Sequence, residues 1–213
     1  MNNTNALLSE LKQKIDAVRQ AHQQTLNATD ANTVQYADQL AEDARQSRER
    51  CKAAIKDLAR MAKGNKQLKA QVDTVNKHFQ ELLQEHQTVE KEYRSKTKER
   101  AARQFKIVKP DATPAEIDNV INNDNPQVFA QALLNTNAYG AARGAYREVQ
   151  ERHAEIQKIE KSLTELAQMM NEMSMLVEQQ DEAINQVHTQ AAEVNMDISK
   201  GYVVASQQRG EHV

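Results

Sequence analysis

Proline and glycine are scarce in this sequence of 213 residues, and their placement is uneven. The 3 prolines, Pro110, Pro114 and Pro126, fall in one short window, and residues 1–109 contain a single glycine, Gly64. A β-sandwich, a β-barrel or alternating strand–helix units need turn residues about every 8–12 positions, so the sequence excludes these folds. Abundant Ala, Gln, Glu and Lys instead favour long helices with narrow apolar stripes.

Cysteine and long apolar runs are also rare. Cys51 has no second cysteine to pair with, which excludes a disulfide framework and is typical of a reducing compartment. No run of 18 apolar residues occurs, the N-terminus lacks the apolar segment of a signal peptide, and the C-terminus lacks a lipidation motif. We therefore expect the chain as given to be soluble and intracellular.

Motifs of catalysis and metal binding are missing as well. The sequence has no P-loop, no HExxH and no GxSxG, and none of its 6 histidines has another histidine four residues away. A methionine cluster at Met169, Met170, Met173 and Met175 is interpreted as helix packing rather than as a copper site. We predict that the chain is not an enzyme and binds no cofactor or metal.

Three long helices are predicted before the prolines. Apolar residues recur at steps of three and four over residues 5–29, 33–63 and 66–109, and short polar breaks separate these segments. Long helices joined by short connections are typical of an antiparallel three-helix bundle. Cys51 and His86 fall on inward faces, where a packed side chain is favoured over a reactive thiol or a metal ligand. The residues predicted to face inward on the third helix are Leu68, Val72, Val75, Phe79, Leu82, Val89 and Tyr93.

The window that holds the prolines is predicted to be a structured linker with two short helices. Thr113 as N-cap, Pro114 at the first helical position and Glu116 two residues later predict a helix start. Asn122 to Pro126 ends this helix, and residues 127–134 form a second predicted helix. The apolar residues of this segment need a surface to pack against.

A coiled-coil repeat follows the linker. Sixteen consecutive positions from Ile156 to Gln208 alternate at steps of three and four residues, which predicts a rod of roughly 80 Å. A single helix cannot bury its own stripe, so this stripe must dock on another surface. Besides Gln180, the positions of this seam are Ile156, Ile159, Leu163, Leu166, Met170, Met173, Val177, Ile184, Val187, Ala191, Val194, Ile198, Gly201, Ala205 and Gln208.

Gln180 interrupts the apolar layers near the middle of the seam. A polar side chain in such a position reduces stability but fixes the register and the number of helices. On spacing alone, Gln180 is compatible with a functional polar layer or with a tolerated polar residue in an ordinary coiled coil.

Charge is distributed unevenly between the two halves of the chain. Residues 1–109 hold 21 Lys and Arg against 14 Asp and Glu, whereas residues 110–213 hold 7 against 16. We hypothesise that the acidic repeat packs along the basic bundle and covers the seam until partners displace it. Two independently solvated faces, or binding of anionic lipid by the basic residues 91–109, are the alternatives. Aromatic residues make up 4% of the chain, which argues against nucleic-acid binding.

Residues 151–182 carry a recognisable pattern, ERHAEIQKIEKSLTELAQMMNEMSMLVEQQDE. The pattern resembles the SNARE motif of syntaxins, the Qa-SNAREs, without gaps. Residues 1–109 resemble the syntaxin Habc domain, and RQFKIVKPDAT at 103–113 with NPQVFAQALLN at 125–135 is similar to plasma-membrane exocytic syntaxins, most of all those of fungi. The resemblance implies an Habc-like regulatory bundle at 1–109, a linker at 110–147 and a SNARE coiled-coil motif at 148–210.

The resemblance implies an all-α fold in which the long SNARE helix packs on the three-helix bundle in a closed form. Gln180 would belong to the central ionic layer, where it meets an arginine of a synaptobrevin-like R-SNARE and two glutamines of a two-helix, SNAP-type Qbc-SNARE. The resulting parallel four-helix bundle would drive vesicle fusion in exocytosis. Other implied partners are a Sec/Munc-family protein and a disassembly ATPase with its adaptor. A dimeric structural or membrane-associated coiled-coil scaffold is the alternative function.

Two family features are missing from the sequence given, namely the transmembrane anchor after the motif and the N-terminal peptide before the bundle. We expect a cytosolic part of a protein that sits on the cytoplasmic face of the plasma membrane. Ile121 and Asn122 stand where neuronal syntaxins have a Leu-Glu pair that helps to hold the closed state, so the apolar member of the pair is kept and the acidic one is not. The linker residues implied in the closed state are Ile117, Val120, Ile121, Asn122 and Phe129.

Overall fold

The computed structural model describes residues 2–27, 31–122 and 143–176, and every regular element in these ranges is a helix. This confirms the predicted all-α fold class. The helices are α1 (Asn2–Asn27), α2 (Ala31–Met61), α3 (Lys66–Val108), α4 (Pro114–Asn122) and α5 (143–176). Within these ranges, none of the helices is apolar over a length that would cross a bilayer.

The connection between α2 and α3 falls at the short polar break between the predicted segments 33–63 and 66–109. Gly64 has φ +80, a left-handed conformation that glycine adopts readily and that commonly ends a helix. Asn65 then caps α3, because its Oδ1 accepts hydrogen bonds from the backbone N–H groups of Gln67 and Leu68, both at 3.1 Å. The chain thus reverses direction within a few residues, and α2 and α3 lie antiparallel.

The start of α4 is a capping box. The backbone N–H of Thr113 donates to Glu116 Oε2 at 2.9 Å, and the backbone N–H of Glu116 donates to Thr113 Oγ1 at 3.3 Å. The predicted helix start at Pro114 is therefore confirmed. The second predicted short helix, residues 127–134, lies outside the described residues.

The core of the bundle is formed by the stripes predicted on the first three helices. Leu11 and Ile15 of α1, Ile55 of α2, and Phe79 and Leu83 of α3 are among its buried residues. Cys51 and His86 are buried as expected, and burial raises the pKa of the Cys51 thiol to about 11. An unreactive, packed thiol follows from this environment.

One residue predicted to face inward does not. Leu68 is 38% exposed, whereas the other residues predicted on the same stripe are buried. Leu68 lies in the first turn of α3, immediately after the connection from α2 and before the first buried position at Val72. The prediction was wrong because it extended the periodic stripe to the very end of the helix.

The last described helix, α5, lies against α2 and α3. Lys158 pairs with Asp38 and Glu172 with Lys56, so residue numbers rise together on α5 and α2. Ser162 contacts Glu90 and Met173 contacts Asn76, so the numbers run in opposite directions on α5 and α3. Together with α1, α2 and α3, helix α5 therefore forms an up-down-up-down arrangement of four long helices, in which α5 is parallel to α2 and antiparallel to α3.

Candidate partner-binding seam

Six of the sixteen predicted seam positions fall within α5. Ile156, Ile159, Leu166 and Met173 are buried, while Leu163 and Met170 are half-buried. Gln180 lies outside the described residues, as do Val177, Ile184, Val187, Ala191, Val194, Ile198, Gly201, Ala205 and Gln208. The described part of the predicted seam therefore faces the bundle.

The C-terminal half of α5 contributes directly to the bundle core. Leu166, Met169 and Met173 belong to the same buried cluster as Phe79 and Ile55. Asn76 donates a hydrogen bond from Nδ2 to the backbone carbonyl of Met173 at 2.9 Å. Met169, Met170 and Met173 thus pack against apolar neighbours, because an unbranched thioether fills irregular gaps, whereas Met175 is half exposed.

Ion pairs border the apolar contact on both sides. On the α2 side, Lys158 Nζ lies 2.6 Å from Asp38 Oδ2, and Glu172 Oε2 lies 3.0 Å from Lys56 Nζ. On the α3 side, Arg94 pairs with Glu160. These charges are substantially exposed, and exposed pairs contribute only about 0–1 kcal/mol each. The pairs made by Glu160 and Glu172 agree with an acidic repeat on a basic bundle, whereas the pair of Lys158 with Asp38 has the opposite polarity. Apolar contact stabilises the docked helix more.

Buried polar side chains near the N-terminal half of α5 were not predicted from the sequence. Arg152 is 3% exposed, and its Nη1 donates to both oxygens of Glu155 at 2.9 and 2.8 Å. Arg152 Nη2 donates to the backbone carbonyl of Thr25 at 3.1 Å, and Tyr93 donates its hydroxyl proton to Glu155 at 3.2 Å. The charge of each buried group thus has a partner of opposite sign or a hydrogen bond.

A second set of polar contacts continues the same layer toward the middle of the groove. Ser162 of α5 donates from Oγ to Glu90 Oε1 at 3.0 Å. The structure thus brings polar groups of the bundle and of α5 into one buried layer, called here the polar layer. Its members are Thr25, Glu90 and Tyr93 of the bundle and Arg152, Glu155 and Ser162 of α5.

Glu90 is 2% exposed and also faces two histidines of the bundle. Arg48 Nη1 lies 3.0 Å from His86 Nδ1, and because arginine can only donate, Nδ1 accepts and the imidazole proton sits on Nε2. That nitrogen lies 3.4 Å from Glu90 Oε1, and His22 Nε2 lies 3.5 Å from Oε2. Arg48, His86 and Glu90 therefore form a chain that orients each member.

The pKa values of this chain follow from its geometry. Burial raises the pKa of Glu90, but the imidazoles of His22 and His86 outweigh burial and lower it to about 2. Burial lowers the pKa of His86, and burial together with the Arg48 guanidinium outweighs the interaction with Glu90, which raises it. Glu90 is thus held as a carboxylate and His86 as a neutral imidazole.

A small cavity lies beside the polar layer. Its volume is about 60 Å³, and His22, Thr25, Glu90, Tyr93 and Glu155 contribute to its lining. Sites for small organic ligands are about 300–1,000 Å³, so this space fits a few water molecules rather than a cofactor. Among the described residues, no group of three or more His, Cys, Asp or Glu is arranged to hold a metal ion.

One signal in the sequence pointed to the polar layer. A step of four residues back from Ile156 reaches Arg152, which extends the seam by one position and places a cation on its face. Glu155 and Ser162 lie one residue before Ile156 and Leu163, at the border of the stripe. Their burial depends on Tyr93 and Glu90 opposite them, a pairing that periodicity within one helix does not reveal.

The linker residues predicted from the resemblance lie between α3 and α5. Val120 and Ile121 are buried, and Ile117 is half-buried. Val120 packs with Phe105 of α3 in one cluster, while Ile121 packs with Ile156 of α5 in another. Asn122 is the last residue of α4, its side chain is not among those described, and Phe129 lies outside the described residues.

Two family models match the chain. A syntaxin model matches residues 1–133, and a SNARE-domain model matches residues 147–206. Together they cover the bundle, α4 and all of α5 except its first four residues. The predicted domain limits, 1–109, 110–147 and 148–210, remain predictions.

Curated relatives come from fungi. The protein transport protein SSO2 of Candida albicans is 35% identical over 131 residues, which are 62% of this chain and 44% of that protein. The syntaxin-like protein psy1 of Schizosaccharomyces pombe is 33% identical over 208 residues, 91% of this chain and 72% of that protein. Protein SSO2 of Saccharomyces cerevisiae is 32% identical over 158 residues, 72% and 54% of the two chains. The alignments thus span 44% to 72% of the relatives' lengths.

Proposed function

The chain belongs to the syntaxin family, and on that premise we propose that it acts as a target-membrane Qa-SNARE. In this role it assembles with other SNAREs into a parallel four-helix bundle that drives vesicle fusion in exocytosis. Proteins of this family are structural parts of the fusion machinery, not enzymes. The whole protein works at the cytoplasmic face of the plasma membrane, where an anchor outside this sequence holds it.

The observation that carries the proposal is the seam. Its repeat runs from Ile156 to Gln208 without a break, through the segment that matches the SNARE domain. Burying one large apolar side chain stabilises by about 1.5–3 kcal/mol, so many seam layers that fold together release ample free energy. This free energy, rather than bond chemistry, draws two membranes together.

Gln180 sets the composition of the assembled bundle. A synaptobrevin-like R-SNARE supplies an arginine to this layer, and a SNAP-type Qbc-SNARE supplies two glutamines. An arginine enclosed by apolar layers needs acceptors, and three glutamine carbonyls provide them without burying a second charge. A Sec/Munc-family protein and a disassembly ATPase with its adaptor complete the partners that we propose.

The N-terminal bundle regulates this assembly by occupying the seam. Ile156, Ile159, Leu166 and Met173 are buried against α2, α3 and α4, so they are not free for another partner. One apolar stripe cannot dock on two surfaces at once, and partners must compete with the bundle. The covering of the whole motif, including residues 177–210, is part of the proposal. Autoinhibition is then measured as slower assembly with the partner SNAREs when the bundle is present.

Mixing the chain with an exocytic R-SNARE and a Qbc-SNARE tests the function. We expect a stable four-helix complex that Gln180→Leu alters in register or in disassembly, since that change removes an acceptor from the central layer. We also expect faster assembly when residues 1–109 are deleted. A stable homodimer that ignores both partners would support the coiled-coil scaffold instead, and an unchanged rate after the deletion would refute autoinhibition.

A further inference from the structure

We propose that the polar layer fixes the register in which α5 docks on the bundle. The inference rests on the proposed function, in which docked α5 withholds its seam from partners. Arg152, Glu155 and Ser162 would then be positioning residues, which select one alignment among those that apolar packing allows. Their partners are Thr25, Tyr93 and Glu90, on α1 and α3.

The apolar stripe by itself does not define the register. If α5 moved by one heptad, Leu163 would take the place of Ile156 and Leu166 that of Ile159. In the same way Met170, Met173 and Val177 would take the places of Leu163, Leu166 and Met170. Five of the six described layers would stay apolar, and one would receive Gln180. Repeats of this kind slip between registers unless a polar position prevents it.

The three exposed ion pairs at the border, Lys158 with Asp38, Lys56 with Glu172 and Arg94 with Glu160, are too weak to select the register. The side chain of Lys158 and that of its partner Asp38 are both about half exposed. Exposed pairs of this kind gain little, because water screens the charges and two long side chains lose conformational freedom. The selection must therefore come from buried groups.

The polar layer responds strongly to the same shift. Ile159 would lie against the Thr25 carbonyl, where Arg152 now donates. Met169 would face Glu90 in place of Ser162, so the buried carboxylate would lose a donor. Ser162 would replace Glu155 opposite Tyr93. Arg152 and the Glu155 carboxylate that balances its charge would both leave the layer. Buried groups that lose their partners keep the full desolvation penalty.

A shift in the opposite direction is excluded by Arg152 itself. Its guanidinium would enter the site of Ile159, and Val149 would take the place of Ile156. That move would break its hydrogen bond to the Thr25 carbonyl and would place the guanidinium in a buried position that an apolar side chain now fills. The two directions of slip are thus blocked by different members of one layer.

The register can be measured as a distance. We place spin labels on exposed positions at Met61, the end of α2, and at Lys161 on α5, and read their separation by double electron–electron resonance. A Cys51→Ala background leaves the two labels as the reactive thiols. Movement by one heptad displaces α5 by about 10 Å along its axis, because a helix rises ~1.5 Å per residue. Since α5 runs parallel to α2, the slip described above lengthens this distance.

Two variants separate register from stability. The first makes the layer apolar with similar volumes, and buried ionic layers replaced in this way usually keep their stability. Its substitutions are Glu90→Met, Tyr93→Phe, Arg152→Met, Glu155→Met and Ser162→Ala. The second moves the polar residues of α5 one heptad along and leaves the bundle unchanged. Its substitutions are Arg152→Ile, Glu155→Ser, Ile159→Arg, Ser162→Glu and Met169→Ser.

We expect one distance for the wild-type chain, two for the apolar variant, and one distance about 10 Å longer for the relocated variant. Circular dichroism checks that each variant is helical, and the relocated variant decides the question if the apolar one does not fold. Retention of the wild-type distance by the relocated variant, or several distances in the wild-type chain, would overturn the register proposal. Failure of the proposed function would show separately, as the absence of a complex in the mixing experiment.

Discussion

The groove that receives α5 has two unlike ends. At one end Leu166 and Met173 join an apolar core, and at the other Arg152 and Glu155 meet polar groups of α1 and α3. Apolar contact stabilises in proportion to the buried area, whatever the exact alignment. A buried charge is tolerated only where its partners lie opposite. The stability of the docked state therefore depends mainly on the C-terminal half of α5, and the choice of register depends on its N-terminal half.

The two ends should also respond differently to substitution. Removing one member of a buried ionic network leaves the others without partners, so single changes at the polar end are costly. Shortening one apolar side chain leaves a cavity whose effect depends on its size. Single variants at each end, paired with exposed controls on the same helix, test this difference between the two ends most directly.

The largest effect is expected for Arg152→Met. The change keeps much of the side-chain volume but leaves Glu155 buried without its cation, which destabilises by about 3–5 kcal/mol. Urea unfolding of the whole chain, followed by circular dichroism, measures the loss.

Arg147→Met is the matched control for this variant. Arg147 lies on the same helix and pairs with Glu151, but its side chain is 83% exposed, so we expect a change within about 0.5 kcal/mol. Equal losses in the two variants would mean that burial of the Arg152 network does not decide its contribution.

A smaller effect is expected at the apolar end. Met173→Ala removes a buried side chain from the core shared with Phe79, and changes of this kind destabilise by about 2–5 kcal/mol. The lower part of this range applies if the flexible neighbours Met169 and Met170 fill the space. Thermal unfolding, with the heat of unfolding measured by calorimetry, gives the value.

Met175→Ala serves as the control at this end, since Met175 is 50% exposed on the same helix. We expect it to change stability by less than about 0.5 kcal/mol. A loss at Met175 as large as that at Met173 would contradict the packing of α5 described above.

Much of this fold could be predicted from the sequence, because its signals are local. Helix periodicity gave the three long helices to within a few residues, Gly64 and Asn65 marked the reversal between two of them, and Thr113 with Glu116 marked the start of α4. Each of these features depends on neighbours in the sequence. Leu68 failed because the end of a stripe depends on what lies opposite, which is not a local property.

The polar layer was missed for the same reason. His86 was expected on an inward face, but its partners Arg48 and Glu90 have the pattern of ordinary polar residues on amphipathic helices. Only the convergence of α2 and α3 buries the three residues together. Arg152 lies at a step that periodicity can reach, but its partner Thr25 is far away in the sequence. Seam positions repeat within one segment and are visible there, whereas a buried network is a property of several segments at once.

The dependence of stability on pH separates the two ends of the groove. Glu90 belongs to the polar layer and His86 lies against it, whereas the core at the apolar end is formed by side chains such as Leu166, Met169 and Met173, which do not titrate. The pKa of His86 is lowered from its ordinary value of 6.5, and that of Glu90 is lowered from 4.5 to about 2. In both cases the unfolded chain binds more protons than the folded chain, so stability falls as the pH is lowered. The fall begins near pH 6.5 with His86 and continues below pH 4.5 with Glu90, at up to about 1.4 kcal/mol per pH unit for each group.

His86→Gln tests the upper part of this pH range. Glutamine can accept from Arg48 with its carbonyl and donate to Glu90 with its amide, so we expect the variant to fold and to lose the part of the slope that begins near pH 6.5. Unfolding in urea at several pH values measures the slope, and His78→Gln, at an exposed position of α3, is the control. If His86→Gln kept the wild-type slope, the protonation of another group would have to account for it, and the difference in pH response between the two ends of the groove would no longer rest on His86.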